Sequence, residues 1–341
     1  MTEVKNKNSI KSDKPTIISL FCGAGGLDLG FKQEGYVIQL AIDSEKSAIE
    51  THRFNFEETT AVVADLTEIG PVGVLNYASA SIAEGSKIGI IGGPPCQGFS
   101  KGNISADPND LRNLLPALYV EIISKLKERY VIEFVVFENV MGMKDKKHEE
   151  KYLQLISGLS GLDFEITEKE LCAADFGVPQ NRHRVIVTAV RSGQGYLPVV
   201  PVKKNNSLTV RDAIGHLTEP ALFRKNILPS EIPFHPNHWT MQPKSLKFST
   251  MDFNKSGSRS FRKLKWEKAS PTIAFGNREI HVHPNGHRRL SIFEAMLLQG
   301  FPTDFELKGN LSQQVQQISN AVPPPLARSL AKALTISMNL R

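Results

Sequence analysis

The chain predicts an α/β, doubly wound domain with a mostly parallel sheet, followed by a smaller, loop-rich domain. Three observations carry that reading. From Thr16 to about Val190, short apolar runs alternate with amphipathic or polar stretches; the first run leads straight into a glycine-rich turn; and beyond Arg191 repeated prolines replace the periodicity. Apolar runs of strand length without polar alternation mark strands buried on both faces, which parallel sheets require, and their ligands bind at the carboxyl ends of the strands.

Taken in order, strands are predicted at Thr16–Phe21, Val37–Ala41, Ala61–Val63, Ile88–Ile91, Val131–Phe137 and Arg184–Val190. Lys46–Phe54, Leu111–Arg129 and Glu149–Leu159 have helical spacing and length. After Arg191, Pro198, Pro201, Pro220, Pro229, Pro233, Pro236 and Pro243 punctuate a segment with little periodicity. Helical character returns from Ser312 to about Met338, interrupted by Pro323-Pro324-Pro325. The expected division is a flexible N-terminus over 1–14, a first domain over 15–190 joined by 311–341, and a second over 191–310.

Composition narrows the class. With 341 residues, 40% hydrophobic and 22% charged, the chain is long enough for a large core and close to the globular average. Three cysteines far from any paired spacing argue against a disulfide framework and predict a reducing compartment. The lysine-rich start has no apolar stretch behind it, and no apolar run approaches the roughly 20 residues of a membrane helix. The expected setting is the cytoplasm. The net charge of +6 permits a polyanionic partner without demanding one.

The turn Phe21-Cys22-Gly23-Ala24-Gly25-Gly26 opens a helix, where absent side chains and free N–H groups admit a ligand close to the backbone. Asp43 ends the second strand 18 residues after Gly25, where a carboxylate takes the hydroxyls of a ribose, and Asp65 ends the third, where it receives an adenine amino group. The dinucleotide pattern GxGxxG fails, because its sixth position is Asp28. Two acids suit a cationic nucleoside without phosphates, and S-adenosyl-L-methionine is such a ligand. A NAD enzyme is the more distant alternative.

The fourth strand ends in Gly92-Gly93-Pro94-Pro95-Cys96-Gln97. Two prolines fix the backbone just before Cys96, so its thiol is held in place on an open strand end, whereas Cys22 and Cys172 read as inert core cysteines.

On these motifs the chain resembles the C5-cytosine DNA methyltransferase family. Phe21-x-Gly-x-Gly-Gly is similar to its first cofactor motif, Pro94-Pro95-Cys96-Gln97 to its catalytic loop and Phe137-Glu138-Asn139-Val140 to the motif with its glutamate. Gln180-Asn181-Arg182-His183-Arg184 resembles its arginine motif, Arg289-Leu290-Ser291 with Glu294 and Leu298-Gln299-Gly300-Phe301-Pro302 the motif bracing the recognition domain, and Asn320-Ala321-Val322-Pro323-Pro324 the last cofactor motif.

The resemblance implies a fold of the S-adenosylmethionine-dependent methyltransferase type with a target-recognition domain. It implies cofactor contacts from Phe21, Gly23, Gly25, Gly26, Asp43, Asp65, Leu66, Pro94, Leu115, Asn320 and Val322. Asp43 stands where the family usually has glutamate, and Ser44 where it has an apolar residue that stacks on adenine, so Leu66 is expected to carry more of that contact. Arg112-Asn113-Leu114-Leu115 sits where the family closes the cofactor pocket.

The residue types fit methylation of cytosine C5 in duplex DNA. C5 is a poor nucleophile, and attack of a Cys96 thiolate on C6 turns the ring into an enamine that accepts a methyl at C5. Glu138 holds N3 and the exocyclic amine, Arg182 or Arg184 stabilises O2, and by resemblance the second is the base contact. The base must be flipped out of the duplex to reach the thiol.

Lys244–Lys268 holds eight lysines and arginines against two acids, a surplus equal to the net charge of the whole chain, with Phe248, Phe253, Phe261 and Trp266 interleaved. Ser100, Lys101, Arg259, Arg262, Lys263 and Lys265 are therefore the expected DNA contacts. No metal is expected: His281, His283 and His287 lack a completing ligand, and His283-Pro284-Asn285-Gly286 reads as a turn between strands. The expected protein is a monomer acting on double-stranded DNA at the nucleoid, with a restriction endonuclease as genetic partner only. The alternatives are an RNA C5-cytosine methyltransferase and a non-catalytic DNA-binding paralogue.

Overall fold

The computed structural model describes residues 13–95, 115–204, 206–224, 226–241, 248, 262–275 and 279–339. Seven strands form the central sheet: β1 (Thr16–Leu20), β2 (Ile38–Asp43), β3 (Thr60–Val63), β4 (Lys87–Gly92), β5 (Val131–Asn139), β6 (Phe164–Cys172) and β7 (His183–Arg191). Their order is β3-β2-β1-β4-β5-β7-β6. The first five pair in parallel, and β7 runs antiparallel between β5 and β6.

The helices are α1 (Gly26–Gln33), α2 (Lys46–Asn55), α3 (Leu66–Ser79), α4 (Leu115–Lys127), α5 (Glu149–Gly161), α6 (Val210–Ile214), α7 (Ile292–Leu298), α8 (Leu311–Asn320) and α9 (Pro324–Ser337). The strands show why the sequence lacks polar alternation. Along β5, Val135 and Phe137 enter one core with Tyr119, Ile122 and Leu155, while Phe134 and Val136 enter the opposite one with Phe31, Leu326 and Leu330. Successive side chains point to opposite faces, and both faces are covered by helices.

Two elements differ from their sequence reading. β6 was not expected because FEITEKEL is rich in charge, yet it is an edge strand, where charged side chains deter further pairing. α3 was also missed: Gly70 (φ 59°) and Pro71 break it internally. The triple proline interrupts the C-terminal helical stretch as expected, between α8 and α9, and also starts α9, with Pro323 as its N-cap and Pro324 and Pro325 in its first turn, where a missing N–H costs nothing.

β1 lies between β2 and β4, and the connections wind to opposite sides of it. The crevice at the carboxyl ends of β1 and β4 is therefore the switch point of the sheet. Leu20 and Gly92 pair there, so the glycine turn after β1 and the proline loop after β4 leave the sheet side by side. A third core joins α6, α7 and α8 with Trp239, Leu264 and Phe301, and reaches back to Ala24 and Phe56 beside the glycine turn.

Candidate active site

The glycine turn is shaped by positive φ angles at Phe21 (54°), Gly23 (53°) and Gly25 (87°). No atom lies within 4 Å of where a Gly23 side chain would start, so that position is open to a ligand. Gly26 is the opposite case: its missing side chain leaves room for the Val322 carbonyl oxygen, 2.4 Å from the vacant Cβ position. The turn is thus walled on one side by Asn320–Val322. Val322 is buried and Asn320 exposed.

Asp43 accepts the backbone N–H of Gly23 at 2.8 Å through one oxygen and that of Glu45 at 2.9 Å through the other. Burial pushes its carboxyl up, and these two hydrogen bonds act against the shift. Asp65 caps α3, its Oδ1 accepting from the Thr67 N–H at 2.8 Å and from Thr67 Oγ1 at 2.7 Å, on an exposed residue. Leu66 turns into the core, 2% exposed, and Ser44 is exposed beside Asp43.

Behind the turn lies a buried pair that the sequence reading did not single out. Asp28 accepts from Ser19 Oγ at 2.6 Å and meets His52 Nε2 at 2.7 Å, with all three residues closed to solvent. His52 stacks on Phe56 at 4.2 Å, and Phe56 covers Gly25. The available signal was a charge at an inward position of α1, in Leu27-Asp28-Leu29. Cys22 joins Asp28 and His52 in the sole tight cluster of metal-ligating types among the described residues, but both Asp28 oxygens are already committed to protein partners. The Cys22 thiol is raised by burial, as expected for an inert core cysteine.

The proline loop begins against Glu138. Its carboxylate Oε2 lies 2.9 Å from the vacant Cβ position of Gly93, and Asn139 Nδ2 donates to the Pro94 carbonyl at 3.4 Å. Residues 96–114 lie outside the described residues, so Cys96, Ser100, Lys101 and the 112–114 segment do too; Pro94 and Leu115, on either side of the gap, are buried. Cys96 follows Gly93 by three residues, a span of at most about 10 Å.

Glu138 is itself buried, on β5, beside Arg184 on β7. Arg184 Nε approaches Glu138 Oε1 to 2.8 Å, out of hydrogen-bond alignment, while Arg184 Nη1 donates to the His183 carbonyl at 2.7 Å. The pair is therefore a charge contact whose carboxylate oxygen keeps an unused hydrogen-bonding capacity. Arg182 goes elsewhere: it is 1% exposed, and its Nη2 donates to the carbonyls of Ser319 (2.9 Å) and Asn320 (3.5 Å). Burial, with Arg184 nearby, holds its guanidinium well below the usual range, and Glu138 acts in the opposite direction. Gln180 donates to Gln299 Oε1 at 2.6 Å, and Gln299 Nε2 donates to the Ala321 carbonyl at 2.7 Å. The arginine motif, the Leu298–Pro302 motif and the last cofactor motif are thus one hydrogen-bonded unit.

In the second region, Arg262 and Lys265 are exposed and Lys263 is half-buried, on a segment whose backbone pairs with Val282; Arg259, Phe253 and Phe261 lie outside the described residues. The aromatics here serve packing more than display. Phe248 is buried, and Trp266 holds Asn285 through its ring N–H at 3.3 Å with Arg211 over its face at 5.0 Å. His281 bonds the Thr272 carbonyl at 2.9 Å, and burial pushes both His281 and His283 down to about 4, which describes neutral core histidines. The His283–Gly286 turn joins single bridging residues, Val282 and Arg289, and not full strands. Glu294 takes its bidentate pair from Arg288, the residue just before the Arg289-Leu290-Ser291 motif (2.8 Å for each contact). Ser291 and Glu294 form a capping box on α7.

Residues 15–335 match the profile of the C-5 cytosine-specific DNA methylase family. The chain is 31% identical to the type II methyltransferase M.MthTI of Methanothermobacter thermautotrophicus over 340 residues, covering 93% of this chain and 96% of that one. It is 30% identical to the type II methyltransferase M1.HphI of Haemophilus parahaemolyticus, covering 95% and 87%. Among solved structures, a prophage-encoded E. coli protein assigned as a DNA modification methyltransferase superposes with a TM-score of 0.77 at 25% identity, covering 96% of this chain and all of that one. Spodoptera frugiperda DNMT2 shares the fold with a TM-score of 0.67 at 17% identity, covering 94% and 99%.

Proposed function

This chain belongs to the C-5 cytosine-specific DNA methylase family, and from that premise we propose how its residues divide the work. As a member it is a methyltransferase that moves a methyl group from S-adenosyl-L-methionine to C5 of cytosine in DNA. The site residues, the domain division and the biological setting below are our reading.

The glycine turn fits the cofactor. Open space at Gly23 and an Asp43 carboxylate held by two backbone N–H groups suit a nucleoside ribose, and Asp65 Oδ2 suits the adenine amino group. Phe21, Gly25, Gly26, Ser44, Leu66, Pro94, Leu115, Asn320 and Val322 complete this side of the site. When bound, the cofactor supplies an electrophilic methyl on sulfonium.

On the base side, Cys96 attacks C6 of the flipped cytosine, forming a C–S bond and leaving an enamine whose C5 takes the methyl. Glu138 delivers a proton to N3 as the attack pushes the electron pair there, and accepts a hydrogen bond from the exocyclic amine. Arg184 steadies Glu138 and stabilises charge at O2. A solvent base then removes the C5 proton, the C–S bond breaks, and the thiolate leaves. The observation that carries this reading is the junction of Gly93 with Glu138: the loop bearing Cys96 starts against the buried carboxylate that Arg184 accompanies.

We assign 15–190 with 311–341 to catalysis and 191–310 to target recognition in the major groove. Arg262, Lys263 and Lys265, with Arg259, Ser100 and Lys101, hold the phosphates of double-stranded DNA. The relatives' type II designation supports protection of host DNA in a restriction-modification system; we further propose an endonuclease as genetic partner only and this chain as a monomer at the nucleoid. None of the described helices is long and apolar enough to cross a membrane.

The test is adduct trapping. Duplex DNA containing 5-fluorocytosine and labelled S-adenosylmethionine should yield a stable protein–DNA adduct that Cys96→Ala abolishes. An adduct surviving that change rejects Cys96 as nucleophile, and methylation of structured RNA but not duplex DNA rejects the substrate.

A further inference from the structure

A helix ends on carbonyls that its own backbone leaves unpaired. At the end of α8, Ala321 N–H serves Gln317, Gln299 serves Ile318, and Arg182 serves both Ser319 and Asn320. A guanidinium there also meets the negative pole of the helix. Val322, two residues beyond, is the residue whose carbonyl packs on Gly26. Arg182 therefore fixes the turn that walls the cofactor cradle.

The rest of its side chain belongs to the other half of the site. Arg182 enters the sheet just ahead of Arg184, lies within electrostatic reach of both Arg184 and Glu138, and keeps a fully buried Nε–H with no partner. A cap for α8 needs only the Nη2 that it already uses. An unmade buried hydrogen bond is costly enough that few survive without a role, and Glu138 Oε1, on the residue whose charge reaches Arg182, is another buried atom without one.

We infer that Arg182 is a positioning residue that couples cofactor binding to base binding. With the cradle filled, the Ser319–Val322 turn is held, the turn holds Arg182, and Arg182 sets Glu138 and Arg184 for the incoming cytosine. The inference rests on the proposed assignment of Asn320 and Val322 to the cofactor and of Glu138 to the base. Coupling of this kind is reciprocal: DNA must tighten the cofactor by the factor with which the cofactor tightens DNA.

The experiment measures the dissociation constant of S-adenosylhomocysteine by calorimetry, alone and with a short duplex carrying the site that bisulfite sequencing maps on plasmid DNA. In the unmodified enzyme the two values should differ by about 5–150-fold, the usual range for coupled sites. Arg182→Lys keeps a long side chain with a terminal donor for the end of α8 but has no Nε–H, and Arg182→Gln shortens that side chain as well. Both should bring the ratio to within about twofold of one, the lysine variant while binding the ligand alone nearly as the parent does. Should the glutamine variant fail to fold, the lysine variant decides. A lower melting temperature with an unchanged ratio reduces Arg182 to a helix cap and overturns the inference, as does a parent enzyme whose ratio is one. Full methylation by Glu138→Gln strikes the base-pocket assignment, whereas a preserved ratio in Arg182→Lys strikes the coupling alone.

Discussion

The carbonyl oxygen of Val322 lies 2.4 Å from the point where a side chain on Gly26 would begin, which leaves no room for even a methyl group. Gly26→Ala must push the turn before α9 off the first turn of α1. It should cost about 1–3 kcal/mol in urea denaturation, the usual penalty of overpacking. S-adenosylhomocysteine binding, followed by calorimetry, should weaken with it. Unchanged affinity in a destabilised variant would show that the contact serves the fold alone.

Glu138 and Arg184 should separate rate from stability. Glu138→Gln keeps the shape of the pocket and should lower kcat by about 10²–10⁴-fold, as loss of a positioned acid–base group does. Arg184→Met leaves the Glu138 carboxylate buried without its counter-charge, and should cost about 3–5 kcal/mol of stability as well as activity. Initial rates on plasmid DNA and urea midpoints for the two variants check the split.

Asp43 makes cofactor binding sensitive to acid. Burial raises its carboxyl above the ordinary range, so protonation sets in at higher pH than for a free aspartate. The sign for folding is opposite to that for binding. A carboxyl raised in the folded state favours folding below its unfolded value and loses that contribution as pH rises through the folded one, whereas binding needs the ionised form. S-adenosylhomocysteine affinity should therefore begin to fall on acidification at a higher pH than an ordinary aspartate would give, and Asp43→Asn should bind weakly with a flat profile. A parallel fall in both proteins would assign the dependence to another group.

His281 and His283 predict acid lability in the second region. Their folded values, about 4, lie below the ordinary 6.5. Their stabilising contribution is therefore present above 6.5 and is lost as pH falls from there toward 4. At full effect His281 accounts for about 3 kcal/mol, and His283, nearer to solvent, for less. Urea midpoints should drop between pH 6.5 and 4.5, less steeply in His281→Phe. A midpoint flat over that interval contradicts the burial of these rings as neutral groups.

Arg262 and Lys265 are, with Lys268, the exposed cations of the described basic segment, and of these three they are the two proposed to hold DNA phosphates. Replacing both with alanine should reduce the slope of log affinity against log salt by about 1.8, two phosphate contacts at 0.9 each. The half-buried Lys263 should change it less. Fluorescence anisotropy on one duplex across a salt series gives the slopes.

Much of the fold is readable from the residues because parallel strands buried on both faces leave continuous apolar runs. The turn motifs stand out because only glycine and proline satisfy their backbone demands. What was hidden depends on partners distant in sequence. FEITEKEL becomes a strand because β7 is beside it, and Pro323–Pro325 starts a helix because α9 has α1 to pack against. Arg182 and Arg184 look equivalent in a motif two residues apart, yet one meets the end of α8 and the other Glu138. Asp28 gave no sign of its purpose because Ser19 and His52 reach it from separate elements.

The seat of α9 on α1 also sets a timetable. A ribosome adding 5–20 residues per second spends roughly 15–60 s between the glycine turn and the helix that walls it. During that interval a nascent chain can complete neither the face of the sheet that α9 covers nor its cofactor cradle. Methylation is thus confined to chains whose synthesis has passed α9, and those cut short before that helix should be unable to compete for S-adenosylmethionine.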